Sequence, residues 1–194
     1  LARVHRAGFR DISAVAFTAR AQAQPFIDGG VFRRDVPVLE LLEGSTRFAP
    51  RDRAEARART GLTGSPCLLW LGHLDRNKDP FVVLRAFASA VPALPDARLW
   101  MAFGTALLRT DVEAFIARQG LARHVTLIGS VEHARVEWLL SAADLIVQAS
   151  HFEGSGYAVV EALACGVTPI VTDIPSFRRI TRDGAVGALV PVGD

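Results

Sequence analysis

The feature of this sequence that most restricts its fold is an alternation, from residue 67 onward, of short apolar runs with segments of helical periodicity. The runs are apolar throughout rather than at every second position, which is typical of strands covered on both faces. They comprise residues 67–71, 99–103, 125–128, 145–147, 169–171 and 188–190. Between them apolar residues recur at i, i+3 and i+4, as in Val112, Phe115 and Ile116, which predicts amphipathic helices. This alternation predicts right-handed crossovers and a Rossmann-like open parallel sheet with helices on both faces.

The composition narrows what such a domain can bind. Of 194 residues, 50% are hydrophobic and 22% charged, enough to bury a core. Lysine and arginine exceed aspartate and glutamate by only 22 to 20, which argues against a nucleic-acid-binding surface. No apolar run approaches the roughly 20 residues of a membrane-spanning helix. The two cysteines, Cys67 and Cys165, lie in apolar segments, as buried thiols of a cytoplasmic protein would.

The two ends of the sequence predict a piece of a longer protein. The first residue is not methionine, no signal peptide follows, and the last residues come directly after an apolar run. Residues 1–46 contain candidate strands at 14–19 and 36–42, and we interpret them as the tail of a preceding domain and a linker. Residues 47–194 are predicted to form a second domain, truncated at its C-terminal end.

Ligands of such sheets bind beyond the carboxyl ends of the strands, so the loops there are the candidate site. Residues 153–166, with the sequence EGSGYAVVEALACG, follow the fourth predicted strand. Gly154 and Gly156 allow close approach to a ligand, and the helix that begins there attracts anions. Glu161 lies in an apolar helix and needs hydrogen-bond donors. These could be ligand hydroxyls or groups of the chain itself, and Glu153 could bind a ligand or only complement the helix dipole.

A second stretch, residues 71–80 with the sequence LGHLDRNKDP, follows the first predicted strand. Lys78 is the only lysine among 22 basic residues, and its compact charge suits phosphate oxygens. The sequence has no P-loop, no His-Glu-x-x-His, no Gly-x-Ser-x-Gly and no Asp-x-Asp pair for a divalent ion. We therefore expect phosphate charge to be met by basic side chains and helix ends, with no metal.

Together these motifs resemble the donor-binding half of the retaining GT-B glycosyltransferases, specifically glycosyltransferase family four. Residues 69–80 resemble the family's Gly-Arg-Leu...Lys-Asp-Pro motif, and residues 150–166 resemble its Glu-x7-Glu motif. Three further segments are similar to its domain entry, its nucleobase loop and its usual ending, namely 46–50, 124–131 and 183–191. The resemblance therefore covers most of the chain.

The resemblance implies the C-terminal half of a GT-B fold that binds a nucleotide-diphospho-sugar as its substrate, with no cofactor. Lys78 and His73 would contact the diphosphate, where negative charge develops as it departs. Glu153 would hold the sugar, and these three are the implied catalytic residues. Glu161 would bind the ribose hydroxyls. The other implied donor-binding residues are Gly72, Ser130, Val131, Gly154, Ser155, Gly156 and Tyr157, with Ser130 and Val131 reaching the base through main-chain groups.

The sequence departs from the family pattern at His73, where the family has arginine. Because imidazole is charged only when protonated, we expect His73 to face the diphosphate and to become protonated when the nucleotide sugar binds. The alternative is a loop histidine hydrogen-bonded to the backbone. Arg179 replaces a commonly acidic residue, and a second glycine is missing after Gly104. We interpret His133 and His151 as ordinary helix-start or loop residues.

The sequence therefore predicts a retaining sugar transferase of which this chain is the donor-binding half, inactive in isolation. A sugar, lipid or other acceptor would bind mainly to the missing N-terminal domain, which would also make any peripheral membrane contact. One alternative is a degenerate nucleotide-sugar-binding module without turnover. Another is a different GT-B enzyme, such as an epimerase or a phosphorylase. The Glu-x7-Glu pair argues against the epimerase, and the lack of a second lysine for a pyridoxal Schiff base argues against the phosphorylase.

Overall fold

The computed structural model describes residues 8–9, 11–42 and 44–194. Its first elements are two short strands, β1 (Val15–Phe17) and β2 (Val38–Glu40), which pair in parallel. A 3-10 turn and a short helix, α1 (Gln24–Asp28), connect them. Both candidate strands of the first 46 residues are thus confirmed, and they form a small sheet separate from the main one.

The remaining elements alternate between helix and strand, as the apolar pattern predicts. They are α2 (Arg53–Thr60), β3 (Cys67–Gly72), α3 (Pro80–Ala90), β4 (Arg98–Phe103), α4 (Arg109–Arg118), β5 (Val125–Gly129), α5 (His133–Ala142), β6 (Leu145–Gln148), α6 (Tyr157–Ala164), β7 (Thr168–Thr172), α7 (Pro175–Thr181) and β8 (Ala188–Val190). All six strands predicted after residue 67 are confirmed, with ends that move by at most one residue.

These strands form one parallel sheet in the order β5-β4-β3-β6-β7-β8. The chain runs outward from β3 to one edge and then returns to β6, which pairs with β3 on its other side. This is the strand order of the doubly wound Rossmann fold, and the reversal between β3 and β6 is its topological switch point. The loops after β3 and β6 therefore meet at the edge of the sheet where such folds bind ligands.

The sheet is stable because both of its faces are covered. Leu69 and Trp70 are neighbours in β3, so their side chains point to opposite faces, and both are fully buried. Trp70 packs in the cluster that contains Leu84 of α3, and Leu69 packs with Leu139 of α5. Burying a side chain of this size contributes roughly 1.5–3 kcal/mol. Because both faces of the sheet are buried, the strands have unbroken apolar sequences.

Cys67 and Cys165 are buried and unpaired with each other, as expected for small core residues. Burial raises the pKa of each thiol to about 11. Among the helices of the described residues, none combines the length and the apolar character needed to cross a bilayer.

Candidate functional site

Hydrogen bonds join the two loops at the switch point. The Asn77 side chain accepts a hydrogen bond from the Phe152 amide (3.1 Å) and donates one to the Phe152 carbonyl (3.0 Å). The His151 amide donates to the Asn77 carbonyl (2.8 Å), and His151 Nε2 lies 2.9 Å from Asp79 Oδ2. Asp79 also caps α3, because its Oδ1 accepts from the Val82 amide. These hydrogen bonds hold the loop after β3 against the loop after β6, so that the two loops form one continuous surface.

Lys78 and Glu153 are in contact on this surface. Lys78 Nζ forms an ion pair with Glu153 Oε1, and the two side chains are only 19% and 13% exposed. The same carboxylate oxygen accepts a hydrogen bond from Ser150 Oγ at 2.6 Å. The Asp75 side chain accepts from the Lys78 amide at 2.9 Å, which fixes the backbone that carries the lysine. Two residues implied to be catalytic are therefore in direct contact.

A cavity of about 190 Å³ lies between this pair and the beginning of α6. Lys78, Glu153 and residues 155–157 line it. Gly156, which precedes the helix, has φ +62°, and a Cβ there would lie 2.7 Å from Ile180 Cδ1. Only glycine avoids both the strained backbone and this clash. The lysine and the free amide end of the helix thus border the same space, the arrangement that suits an anion.

A larger cleft of about 400 Å³ adjoins the first cavity, with Lys78 lining both. The predicted site residues around this cleft are Gly72, His73, Lys78, Ser130, Val131 and Glu161. Gly72 packs closely against Trp70, because a Cβ there would lie 3.2 Å from Trp70 Cη2. The two spaces together contain every predicted site residue except Gly154.

Gly154 lines a different groove, of about 470 Å³. Phe17, Phe26, Leu41 and Phe152 are among the residues that line this groove. The Gln22 side chain, from the 3-10 turn after β1, donates to the carbonyls of Glu153 (2.7 Å) and Gly154 (3.2 Å). The first segment of the chain therefore contacts the site loop directly. Gly154 lines this groove and neither of the two spaces that the other predicted residues line.

His73 lines the larger cleft, and its ring is fixed by the backbone. Its Nδ1 accepts a hydrogen bond from the Thr105 amide at 3.0 Å. A nitrogen that accepts this bond carries no proton, so the proton of the neutral ring lies on Nε2. A Cβ at Gly104 would lie 3.2 Å from the ring, which leaves little room for a larger residue there. The hydrogen bond to the backbone that the alternative interpretation expects is therefore present.

Glu161 lies on the cleft with a side chain only 5% exposed. Its Oε1 lies 2.7 Å from His133 Nε2. Burial raises the pKa of Glu161, while the hydrogen bond and the charge of His133 act in the opposite direction. The chain itself thus supplies a hydrogen-bond partner to one oxygen of this carboxylate, Oε1.

His133 is the site residue that sequence reasoning missed. It is the first residue of α5, as its interpretation as a helix-start residue predicts. Its ring lies 4.9 Å from the ring of Phe48, and it lines the cleft beside Glu161. Its position shortly after Val131, in a loop already predicted to reach the ligand, is the only signal in the sequence that could have indicated this contact.

The strand order and a cleft at the switch point define a Rossmann-like domain, and solved structures place it in the GT-B class. Sucrose-phosphate synthase from Thermosynechococcus elongatus matches with a TM-score of 0.81 and 24% identity, covering 100% of this chain and 49% of the synthase chain. HepE from Anabaena, solved in complex with UDP-glucose, also matches at 0.81, with 20% identity over 100% of this chain and 54% of that one. These similarities establish the fold.

The sequence comparison identifies the family. The profile described as "Glycosyl transferases group 1" matches residues 52–194, and the chain belongs to this family. A D-inositol 3-phosphate glycosyltransferase from Nocardia farcinica is 32% identical over 183 residues, which is 91% of this chain and 41% of the relative. An alpha-D-kanosaminyltransferase from Streptomyces kanamyceticus is 28% identical over 139 residues, 72% of this chain and 36% of the relative. The chain thus spans less than half the length of these relatives.

Proposed function

We propose that this chain is the donor-binding half of a retaining, family-four glycosyltransferase that transfers a sugar from a nucleotide-diphospho-sugar to an acceptor. The observation that carries the proposal is the meeting of Lys78, the beginning of α6 and Glu161 around two adjoining spaces at the switch point. One space has the positive groups that a diphosphate needs, and the other has a buried carboxylate suited to hydroxyl groups. A nucleotide sugar carries both chemistries in one molecule.

In this proposal Lys78 supplies the permanent positive charge. Cleavage of the bond between sugar and diphosphate moves negative charge onto the leaving group, so a cation already in place stabilises the transition state more than the ground state. The ion pair with Glu153 fixes the position of Lys78. In the proposed complex, the lysine would interact with both Glu153 and the diphosphate. With the N–H groups of α6 beside it, this lysine meets the charge of the leaving group, and we propose transfer without a metal.

The neutral ring of His73 would add one hydrogen bond, from Nε2–H to a phosphate oxygen. Glu153 and residues 155–157 would hold the sugar and its adjacent phosphate, and Glu161 would accept hydrogen bonds from the ribose. Main-chain groups of Ser130 and Val131 would contact the base. The complex of HepE with UDP-glucose supports a donor of this class, and the name of the Nocardia relative supports transfer to an acceptor.

The acceptor, whether sugar, lipid or other, is proposed to bind mainly outside this chain, so the chain alone would bind nucleotide and transfer nothing. The buried, unpaired cysteines support a reducing compartment, and we propose the cytoplasm.

Calorimetric titration of the chain with UDP, GDP and ADP tests the proposal. We expect one of the three nucleotides to bind at least about tenfold more tightly than the others, because a site for one base leaves polar groups unpaired with another. Failure of all three to bind at millimolar concentration would refute the proposal.

A nucleotide-sugar-binding module without turnover is the second candidate function, because the proton-free Nδ1 of His73 leaves this position without the permanent charge of arginine. The variant His73→Arg in the full-length protein separates the two functions. A transferase should already turn over with His73, and the anomeric configuration of its product, read by NMR, should match that of the donor. Turnover that appears only in the arginine variant would favour the binding module.

A further inference from the structure

The carboxylate of Glu161 has an uneven set of partners. Within residues 8–9, 11–42 and 44–194, the only group that donates a hydrogen bond to it is His133 Nε2, which contacts Oε1. The other oxygen, Oε2, accepts no hydrogen bond from this part of the chain. Because the side chain is 5% exposed and borders the cleft, Oε2 can gain a partner only from solvent or a ligand in that cleft.

His133 is held in place from a second direction. Its side chain is 68% exposed, yet its ring contacts Phe48 at a centroid distance of 4.9 Å. The segment that carries Phe48 is fixed to α5, because Glu137 Oε1 accepts from the Ala49 amide at 2.9 Å. The imidazole thus lies between an anchored aromatic ring and the carboxylate, which limits its orientations.

We propose that His133 is a positioning residue of the nucleoside subsite: it occupies Oε1 of Glu161 and leaves Oε2 to accept the ribose 2′-hydroxyl. This inference rests on the proposed function. A buried carboxylate without a hydrogen-bond donor favours its neutral acid form, and a neutral acid is a weaker acceptor than a carboxylate. By donating to one oxygen, His133 opposes the rise in pKa that burial causes and leaves the other oxygen free for the ligand.

The alternative is that His133 only fills space beside Phe48. Two substitutions distinguish these roles. His133→Gln keeps an N–H donor close to the position of Nε2, whereas His133→Leu keeps bulk against Phe48 and has no donor. Arg135→Ala removes an exposed side chain of the same helix and serves as the matched control.

The experiment is calorimetric titration of this chain and its variants with whichever of UDP, GDP and ADP binds most tightly, and with the 2′-deoxy form of that nucleotide. We expect the unmodified chain to bind the ribose form about tenfold or more tightly than the deoxy form, the size expected for one hydrogen bond to a charged group. His133→Leu should reduce this preference below about threefold. His133→Gln and Arg135→Ala should keep it within about threefold of the original.

An undiminished preference in His133→Leu would overturn the inference, and so would equal losses in the leucine and glutamine variants, since the latter would indicate a role of the ring alone. A melting curve for each variant shows that it is folded, which the exposure of His133 leads us to expect. Failure of the unmodified chain to bind UDP, GDP or ADP would instead refute the proposed function. Equal binding of the ribose and 2′-deoxy forms by the unmodified chain would remove the ribose role of Glu161 and this inference with it.

Discussion

Glu153 and Glu161 lie on either side of the beginning of α6, and both carboxylates are largely buried, but their partners differ. Glu153 is paired with Lys78, a permanent cation, and also accepts a hydrogen bond from Ser150. Among the residues that the structure describes, Glu161 has only His133 as a partner, and this imidazole is charged only when protonated. The two glutamates of the Glu-x7-Glu motif therefore differ in their partner: a permanent cation lies beside Glu153, and a group that is charged only when protonated lies beside Glu161.

This difference suggests separate roles under the proposed function: Glu153 has its partner within the chain, whereas Glu161 has an oxygen left for a ligand. The Glu153 pair is balanced without a ligand and fixes the position of the lysine. Glu161 is not balanced, because burial raises its pKa and ionisation in the folded state is correspondingly costly. A residue that destabilises the free protein and gains partners from a ligand is typical of a binding site, where stability is exchanged for function.

The largest effect should come from Lys78→Ala. This variant removes the cation and leaves the Glu153 carboxylate to repel the diphosphate, so we expect the affinity for the preferred nucleotide among UDP, GDP and ADP to fall by about thirtyfold or more, in the range of a charge-assisted hydrogen bond. Calorimetry measures the change. Arg76→Ala, an exposed arginine of the same loop, is the control and should change the affinity less than about twofold. A Lys78→Ala variant that binds as well as the control would show that the ion pair is only structural.

The second effect is on stability, and its sign should differ between the two acids. Glu161→Gln removes a costly buried charge while its amide oxygen still accepts from His133, so we expect the free energy of unfolding to rise by about 1 kcal/mol. For a domain of this size that corresponds to a melting temperature higher by about 2–4 °C. Glu153→Gln takes the anion away from Lys78, and we expect a loss of about 1 kcal/mol. Urea unfolding measures both. A loss of stability in both variants would mean that the charge of Glu161 is as well compensated as the charge of Glu153.

The third prediction concerns the pH dependence of this gain. In the folded state the pKa of Glu161 is raised above its ordinary value of 4.5, so the folded protein binds this proton more tightly than the unfolded chain does. The stabilisation from this linkage is complete below about pH 4.5 and is lost as the pH rises through the raised pKa. Glutamine does not titrate. The advantage of Glu161→Gln over the unmodified chain should therefore be smallest near pH 4 and grow toward pH 7. If this stability advantage stays constant across the pH range, it comes from packing and not from the removal of a charge.

The sequence predicted the parts of this site that follow from strand order. The loops after β3 and β6 must meet in a doubly wound sheet, so the proximity of Lys78 and Glu153 could be expected. The contact between His133 and Glu161 could not, because apolar periodicity locates a helix start without showing which side chain it brings near. Gly154 illustrates the same limit, since neighbouring residues of one loop face different grooves.

The smallest effect separates the two interpretations of His73. If the hydrogen bond from the Thr105 amide to Nδ1 persists when a nucleotide binds, the ring stays neutral. His73→Asn keeps an acceptor near the position of Nδ1 and cannot be protonated, so comparison with it cancels the ionisation of the nucleotide and of other residues. We measure the affinity of the unmodified chain and of this variant for the preferred nucleotide, and we expect the ratio of the two affinities to change less than about twofold between about pH 5.5 and 8. A ratio that rises severalfold toward the acidic end would show that binding protonates His73 and breaks the Thr105 hydrogen bond. In that case the histidine would act as a cation, as arginine does in the family pattern.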